Sequence, residues 1–256
     1  VPERNIHYSR SLEDSGAIAR SLVSSGVEAV FTGGGDGTVI QFINDLIATG
    51  ADPLPALGVL PLGTGNALAS MVSSGDYLHD LESYILRKQA DFQDIGLIEV
   101  EDRLCPFTGI GLDAMILNDY VHIKERYGDN RLMKPVLQNA AGYLVAGFGR
   151  TLPRVVRNAV MGKKAYARVR NLGPRAFQAD AEGKVLREWG QGDMLLEGPT
   201  HMISAATTPY YGHGVKLFAN ALRFPGFFEM RLVFGAVAPA ILNLPKVWKG
   251  RYVTEG

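Results

Sequence analysis

Twice before residue 90 the chain passes from an apolar run through a glycine-rich turn into a helical pattern, and that repetition constrains the fold more than any other feature. Val27 to Thr32 reads as a short strand and Gly33 to Thr38 as a turn, after which Val39, Ile43, Leu46 and Ile47 share one helical face. Leu57 to Leu62 reads as a second buried strand ending in the turn Gly63-Thr-Gly-Asn66, and a helix through Leu78, Leu81, Ile85 and Leu86 follows. Two strand-turn-helix units in succession imply a parallel, doubly wound α/β sheet. Upstream, Ser11-Leu-Glu-Asp14 is a capping-box pattern opening a helix through Ala17, Ile18, Leu22 and Val23, which Gly26 ends.

After about Asp94 the texture changes. Short β-like runs at Ile95 to Val100, Lys164 to Arg170, Met202 to Thr207 and Phe227 to Phe234 are spaced by Gly and Pro, with one helical pattern from about Pro135 to Phe148. We therefore expect an α/β domain over residues 1–94 and a second, mostly β, sandwich-like domain over residues 95–256. Apolar residues such as Leu144, Val145, Phe148, Phe218 and Phe224 are read as core of that second domain, and Cys105 as a buried, inert side chain.

In a doubly wound sheet both glycine-rich turns emerge at the carboxyl edge, where ligands bind. Glycines let the backbone approach an anion closely and a helix start carries partial positive charge, so phosphate is the natural ligand of Gly33-Gly-Gly-Asp-Gly-Thr38. Asp36 is the awkward member. A carboxylate beside phosphates needs a divalent cation between them, or a proton to take from the attacking group; the alternative is a structural glycine turn capped by Asp36 and Thr38. In the second turn Thr64 and Asn66 either donate to a phosphate or ribose or shape the turn.

The chain's 26 basic and 26 acidic side chains cancel, which argues against a surface built to grip nucleic acid. The zero hides an asymmetry: Arg131 to Ala179 holds ten basic residues and no acidic one. No secretory signal is expected from Val1 to Arg10, and the uncharged stretches Pro135 to Gly149 and Leu232 to Pro245 fall short of the roughly 20 residues a spanning helix needs. A single cysteine excludes an internal disulfide framework. His7, His79, His122, His201 and His213 show no metal-ligand spacing, and Asp113, beside Gly111, either faces a ligand or stabilises its turn.

The pair of turns, GGGDGT at 33–38 and PLGTGN at 61–66, resembles the catalytic domain of the diacylglycerol kinase family, which includes bacterial lipid kinases and the sphingosine and ceramide kinases. Asp94-Ile-Gly96 is similar to the family's Asp-Ile/Val-Gly step, Gly109 to Ala114 to its Gly-Phe-Asp-Ala step, and Tyr211 to Gly214 with Phe218-Ala219 to its later Gly-rich and Pro-x-Ala segments. The resemblance implies a nucleotide-binding first domain, a lipid-substrate second domain, and a kinase that moves the γ-phosphate of ATP to a lipid hydroxyl with magnesium (Mg2+) assisting. Carried over by position, Gly34, Gly35, Gly37 and Thr38 hold phosphates, while Gly63, Thr64, Gly65 and Asn66 line the nucleotide pocket. By the same likeness Asp36 is the general base or metal organiser, Asp94 belongs to the magnesium network, and Ser9 contacts the nucleotide. The implied partners are a lipid substrate and, transiently, an anionic membrane surface met by the basic block, with no nucleic acid. That places the protein in the cytoplasm, peripheral at the membrane, and the edge strands of the second domain offer a route to a homodimer.

Four departures accompany the likeness. Ala67 stands where the family usually has Asp, Gln41 where Glu is usual, and the family's first strand with its Asn-Pro-x-Ser-Gly turn and its late Asp-Gly-Glu do not occur. The resemblance therefore implies a chain truncated at both ends. Ala67 and Gln41 keep open a non-catalytic nucleotide or lipid sensor of the same fold. The Gly-Gly-Asp-Gly step is shared with NAD kinases, and Gly109 to Ala114 also fits the loose dinucleotide pattern G-x-G-x-x-A of oxidoreductases.

Overall fold

In the computed structural model, which describes residues 2–72, 75–87, 92–131, 133–137, 140–161, 165–180, 182–212 and 214–234, the two expected strands pair in parallel. Strand β1 (Ala29–Gly34) lies beside β2 (Ala56–Pro61) with Gly34 opposite Pro61, so both glycine-rich turns leave the same edge. Helix α1 (Leu12–Ser24) starts at Ser11, whose side chain accepts from the Asp14 N–H, and Gly26 at φ 66° ends it. The box is not reciprocal: the Asp14 carboxylate accepts from the Arg10 N–H, one residue before the cap. Helix α2 (Asp36–Ala48) begins at Gly35. Ala19, Phe42 and Leu46 are buried together against Val30 and Leu57, which fixes α1 and α2 on one another and on the sheet. Gly58 carries no side chain because the Phe31 ring lies over it, packed edge-on against Tyr84 at 5.2 Å.

Two short helices, α3 (Ala69–Val72) and α4 (Tyr77–Arg87), and a hairpin of β3 (Ile98–Val100) and β4 (Arg103–Cys105) complete the first unit, Val1–Pro106. The hairpin stays with this unit, twelve residues beyond the boundary expected at 94, because Asn44 of α2 exchanges two hydrogen bonds with the Leu104 backbone, at 2.7 and 2.9 Å. Cys105 is half-buried, with its thiol on the Ile98 carbonyl, and burial pushes its pKa up against the opposing Arg103 charge.

The second unit, Phe107–Gly256, comprises β5 (Phe107–Gly111), α5 (Leu112–Tyr127), α6 (Lys134–Leu137), α7 (Ala140–Ala146), a π-helical turn (Gly147–Thr151), α8 (Leu152–Val160), β6 (Tyr166–Arg170), β7 (Arg175–Ala179), β8 (Val185–Gly190), β9 (Met194–Ala206) and β10 (Glu229–Phe234). The long β9 organises it: its first half pairs with β6, its second half with β5 and β10, all antiparallel. This unit is β-rich as expected, with more helix than the sequence pattern announces. Helix α5 escapes the apolar periodicity because its buried face holds Asp119 beside Tyr120 and Ile123, while Leu117 and Val121 face solvent. Of the helix expected over Pro135 to Phe148, the described residues form α6 and α7, and its end passes into the π-helical turn. Phe218 is core, packed with Ala206 and Ala221, and Phe224 is half-buried against Phe177; Leu144, Val145 and Phe148, expected inside, are exposed. Lys163, Lys164 and His213 lie outside the described residues.

Candidate functional site

At the carboxyl edge of β1 and β2 the two turns touch. A Cβ built on Gly63 would overlap the Cα of Gly35, so the second turn requires glycine where it meets the first, whereas a Cβ on Gly35 would make ordinary contact with Gly63 at 3.8 Å. Gly35 caps α2 without a side chain. Above Gly37 a Cβ would meet nothing within 4 Å, and Gly37 and Thr38 are exposed. Gly35 gives the first turn of α2 no side-chain cap, and the exposed Gly37 and Thr38 lie at the positive end of the helix dipole. Thr38 packs back over Gly34, whose missing Cβ would lie 2.9 Å from the threonine Cβ.

Asp36 bridges the seam. Its Oδ1 accepts from the Leu68 N–H at 3.4 Å, and its Oδ2 lies where a Cβ on Gly65 would come within 2.7 Å. The carboxylate of the first turn is therefore held against the backbone of the second. Asn66, at φ 52°, turns inward: its Oδ1 accepts from the Gly63 N–H at 2.9 Å and its Nδ2 donates to the Gly63 carbonyl at 2.8 Å. Its amide shapes the turn, which leaves Thr64 and the backbone as the groups of that turn facing outward chemistry. Ser9 donates to the Ser11 carbonyl on the approach to α1, and Asp94 is exposed on the stretch before β3. The structure brings together Gly34, Gly35, Asp36, Gly63, Gly65 and Asn66; among the described residues neither Ser9 nor Asp94 hydrogen-bonds to them.

A phosphate chain fits this cradle, which glycine keeps free of side chains and a helix start polarises. Among the described residues no three His, Cys, Asp or Glu are grouped as for a metal ion. Magnesium held between phosphates, water and one or two carboxylates needs no such group, so the donor set of Asp36 fits that mode and not an all-protein cage.

Two departures from the family pattern have structural explanations. Gln41 receives Arg103 Nη2 on its Oε1 at 2.6 Å and donates from Nε2 to Asp45 at 2.9 Å; Ser15 donates to the other Asp45 oxygen at 2.6 Å. An amide can accept from Arg103 and donate to a carboxylate at once, which an ionised glutamate cannot. Ala67 is fully buried, where a carboxylate would need a partner.

In the second unit the Gly109 to Ala114 segment is filled from within. A Cβ on Gly109 would overlap the Asp113 carboxylate, which accepts hydrogen bonds from Ser204 Oγ and from Tyr211 OH, the latter at 2.7 Å. Burial, reinforced by the Asp113 charge, pushes the Tyr211 hydroxyl far above its usual range, so it stays a donor. The protein's own carboxylate takes the place a dinucleotide phosphate would need, which argues against the oxidoreductase reading of this motif. Ser204 and Tyr211 carry no local signal that would have paired them with Asp113, roughly ninety residues earlier.

The first unit is thus an α/β unit with paired glycine turns on a parallel edge. More particularly, residues 3–98 match the pattern of the diacylglycerol kinase catalytic domain. The chain is 38% identical over 81 residues to a probable lipid kinase YegS-like protein of Enterobacter sp. (strain 638), covering 31% of this chain and 26% of that protein. It is 30% identical over 105 residues to a protein of the same description from Chromohalobacter salexigens, covering 41% and 33%. The matched stretches therefore span a third or less of these relatives. A solved diacylglycerol kinase structure from Bacillus anthracis str. Sterne superposes with a TM-score of 0.59 at 16% identity, over 95% of this chain and 69% of that one. That likeness is one of fold, and it extends through the β-rich second unit.

Proposed function

We propose that the chain carries the nucleotide-binding and lipid-binding parts of an ATP-dependent lipid kinase, transferring the γ-phosphate of ATP to a lipid hydroxyl. The observation that carries the reading is the seam of the two glycine turns, with Asp36 fixed in it and the start of α2 open beside it. Phosphoryl transfer asks mainly for positioning and charge neutralisation. In this reading the Gly37 and Thr38 N–H groups and the α2 dipole orient the phosphates, while the Gly63 to Gly65 backbone and Thr64 border the nucleotide. Asn66 keeps that turn rigid. Asp36 accepts the proton of the attacking hydroxyl or directs the metal, with Asp94 as the second carboxylate and Ser9 on the nucleotide side. Magnesium, when bound, would supply charge neutralisation for the phosphates.

The acceptor is membrane-borne, and the features that fit a membrane-facing role are the basic block and the exposed Leu144, Val145 and Phe148 within it. Among the described residues no helix is long and apolar enough to cross a bilayer.

In the full-length protein Asp36→Asn is expected to lower transfer of label from ATP into a chloroform-extractable product by about 10²- to 10⁴-fold with the fold intact; unchanged turnover would remove Asp36 from the chemistry. A panel of diacylglycerol, ceramide, sphingoid base and phosphatidylglycerol identifies the acceptor. The buried Ala67 and the engaged Gln41 favour one second reading, a nucleotide or lipid sensor. It predicts ATP binding with no labelled product from any acceptor.

A further inference from the structure

Around the start of α8 three arginines converge on one hollow that the phosphoryl-transfer reading does not use. Arg150, Arg154 and Arg157 recur at spacings of four and three, which places them on one helical face. With Pro153 they line an open cavity of about 340 Å³. Among the described residues a single carboxylate answers them. Asp119 of α5, buried, takes Arg154 Nη2 at 2.8 Å and lies 3.6 Å from Arg150 Nε, and it also accepts from Thr151 Oγ1 at 2.6 Å. Arg157 is exposed and has no ion pair among the described residues, and the Nε of Arg154 is buried without a hydrogen-bond partner.

Three cations against one anion leave two positive charges on the wall of the hollow. Asp119 anchors Arg154 by one edge of its guanidinium, and Arg157 sits one turn further on. Guanidinium forks match phosphate oxygens in bidentate pairs, and a phosphate monoester brings about −1.5 to −2 charges near neutral pH. We infer that this hollow is a binding site for a phosphate group, carried by an anionic phospholipid or by a soluble phosphate. Asp119 is its positioning residue. The site requires neither the glycine turns nor catalysis, so it stands or falls apart from the kinase reading. It also differs from diffuse basic attraction, in which any cation of the block serves equally.

The whole chain is titrated with inorganic phosphate while arginine Nε–H and backbone amide resonances are followed. Saturable movement of the Arg154 and Arg157 signals is expected, and Arg157→Lys, which keeps the charge and leaves the Asp119 contacts in place, weakens it about tenfold. Lys134→Gln and Arg170→Gln, both exposed in the same basic block, should leave that affinity within about twofold. Phosphate held at the glycine turns moves the Gly37 and Thr38 amides instead, so the two sites are read separately. Static arginine signals, or an Arg157→Lys affinity equal to that of the unaltered chain, overturn the inference. Sedimentation with phosphatidylglycerol in phosphatidylcholine vesicles then assigns the source. Loss of sedimentation on Arg157→Lys and on added phosphate marks a lipid headgroup, whereas vesicle binding indifferent to both, with the phosphate shifts kept, marks a soluble phosphate.

Discussion

The chain uses close-packed glycines in both units to opposite ends. In the first, Gly35 and Gly63 bring two backbones into contact, and the space beyond them at Gly37 stays open over a helix start. In the second, Gly109 makes room for Asp113, and Ser204 and Tyr211 bind that carboxylate in place; Gly111, at φ 96°, lies against the His201 carbonyl. Both segments read alike as strings, a strand, spaced glycines and a helix. What separates them is whether the protein fills the glycine's vacancy itself. A segment that supplies its own anion is architecture, and one that presents bare amides to solvent is a candidate for binding one.

The sharpest break of this contrast is Gly63→Ala. Its Cβ would strike backbone, which cannot rotate away, so a cost of about 3 kcal/mol is expected, at the upper end of overpacking. Removing the neighbouring side chain in Asn66→Ala should recover none of it, because the Gly35 Cα remains. Gly109→Ala meets a side chain instead, and about 2 kcal/mol is expected as Asp113 swings out and Ser204 and Tyr211 lose their acceptor. Here the double variant with Asp113→Ala should cost less than the sum of the singles by about 1 kcal/mol in denaturant unfolding. Strict additivity at Gly109 and Asp113 would erase the difference between the two kinds of glycine.

The first unit was legible because its determinants are local. A cap at Ser11, a stop at Gly26, apolar runs for β1 and β2, and glycines at both strand ends all lie within a few residues of what they govern. The hairpin belongs to the first unit although it lies past the expected boundary, because Asn44 and Leu104 meet from sixty residues apart. In the second unit α5 was missed because it buries a carboxylate. Asp119 inverts the apolar pattern for the sake of Thr151, Arg150 and Arg154, which lie thirty or more residues later. Leu144, Val145 and Phe148 misled in the other direction, since hydrophobicity alone does not separate a core residue from one kept outside. At the site, residue types were readable, and so was the convergence of the turns. That Asn66 would close its own turn and Asp36 would cross to Leu68 was not, for these depend on which of several equivalent donors comes within reach.

The smallest expected effect on stability is the most diagnostic. Gly37 lies within the first turn of α2, and a methyl group there meets nothing. Gly37→Ala should therefore stabilise the fold, by about 0.5 kcal/mol from helix propensity, seen as a rise of about 1–2 °C in Tm. The same methyl group stands over the amides that the first turn presents, where a phosphate oxygen must come to about 3 Å. ATP affinity should fall about tenfold or more while stability rises. A glycine whose role is structural cannot give that pair of signs. If alanine at 37 stabilises the protein and leaves ATP binding intact, the open face of α2 is not where the nucleotide sits, and the contrast between the two units loses its functional half.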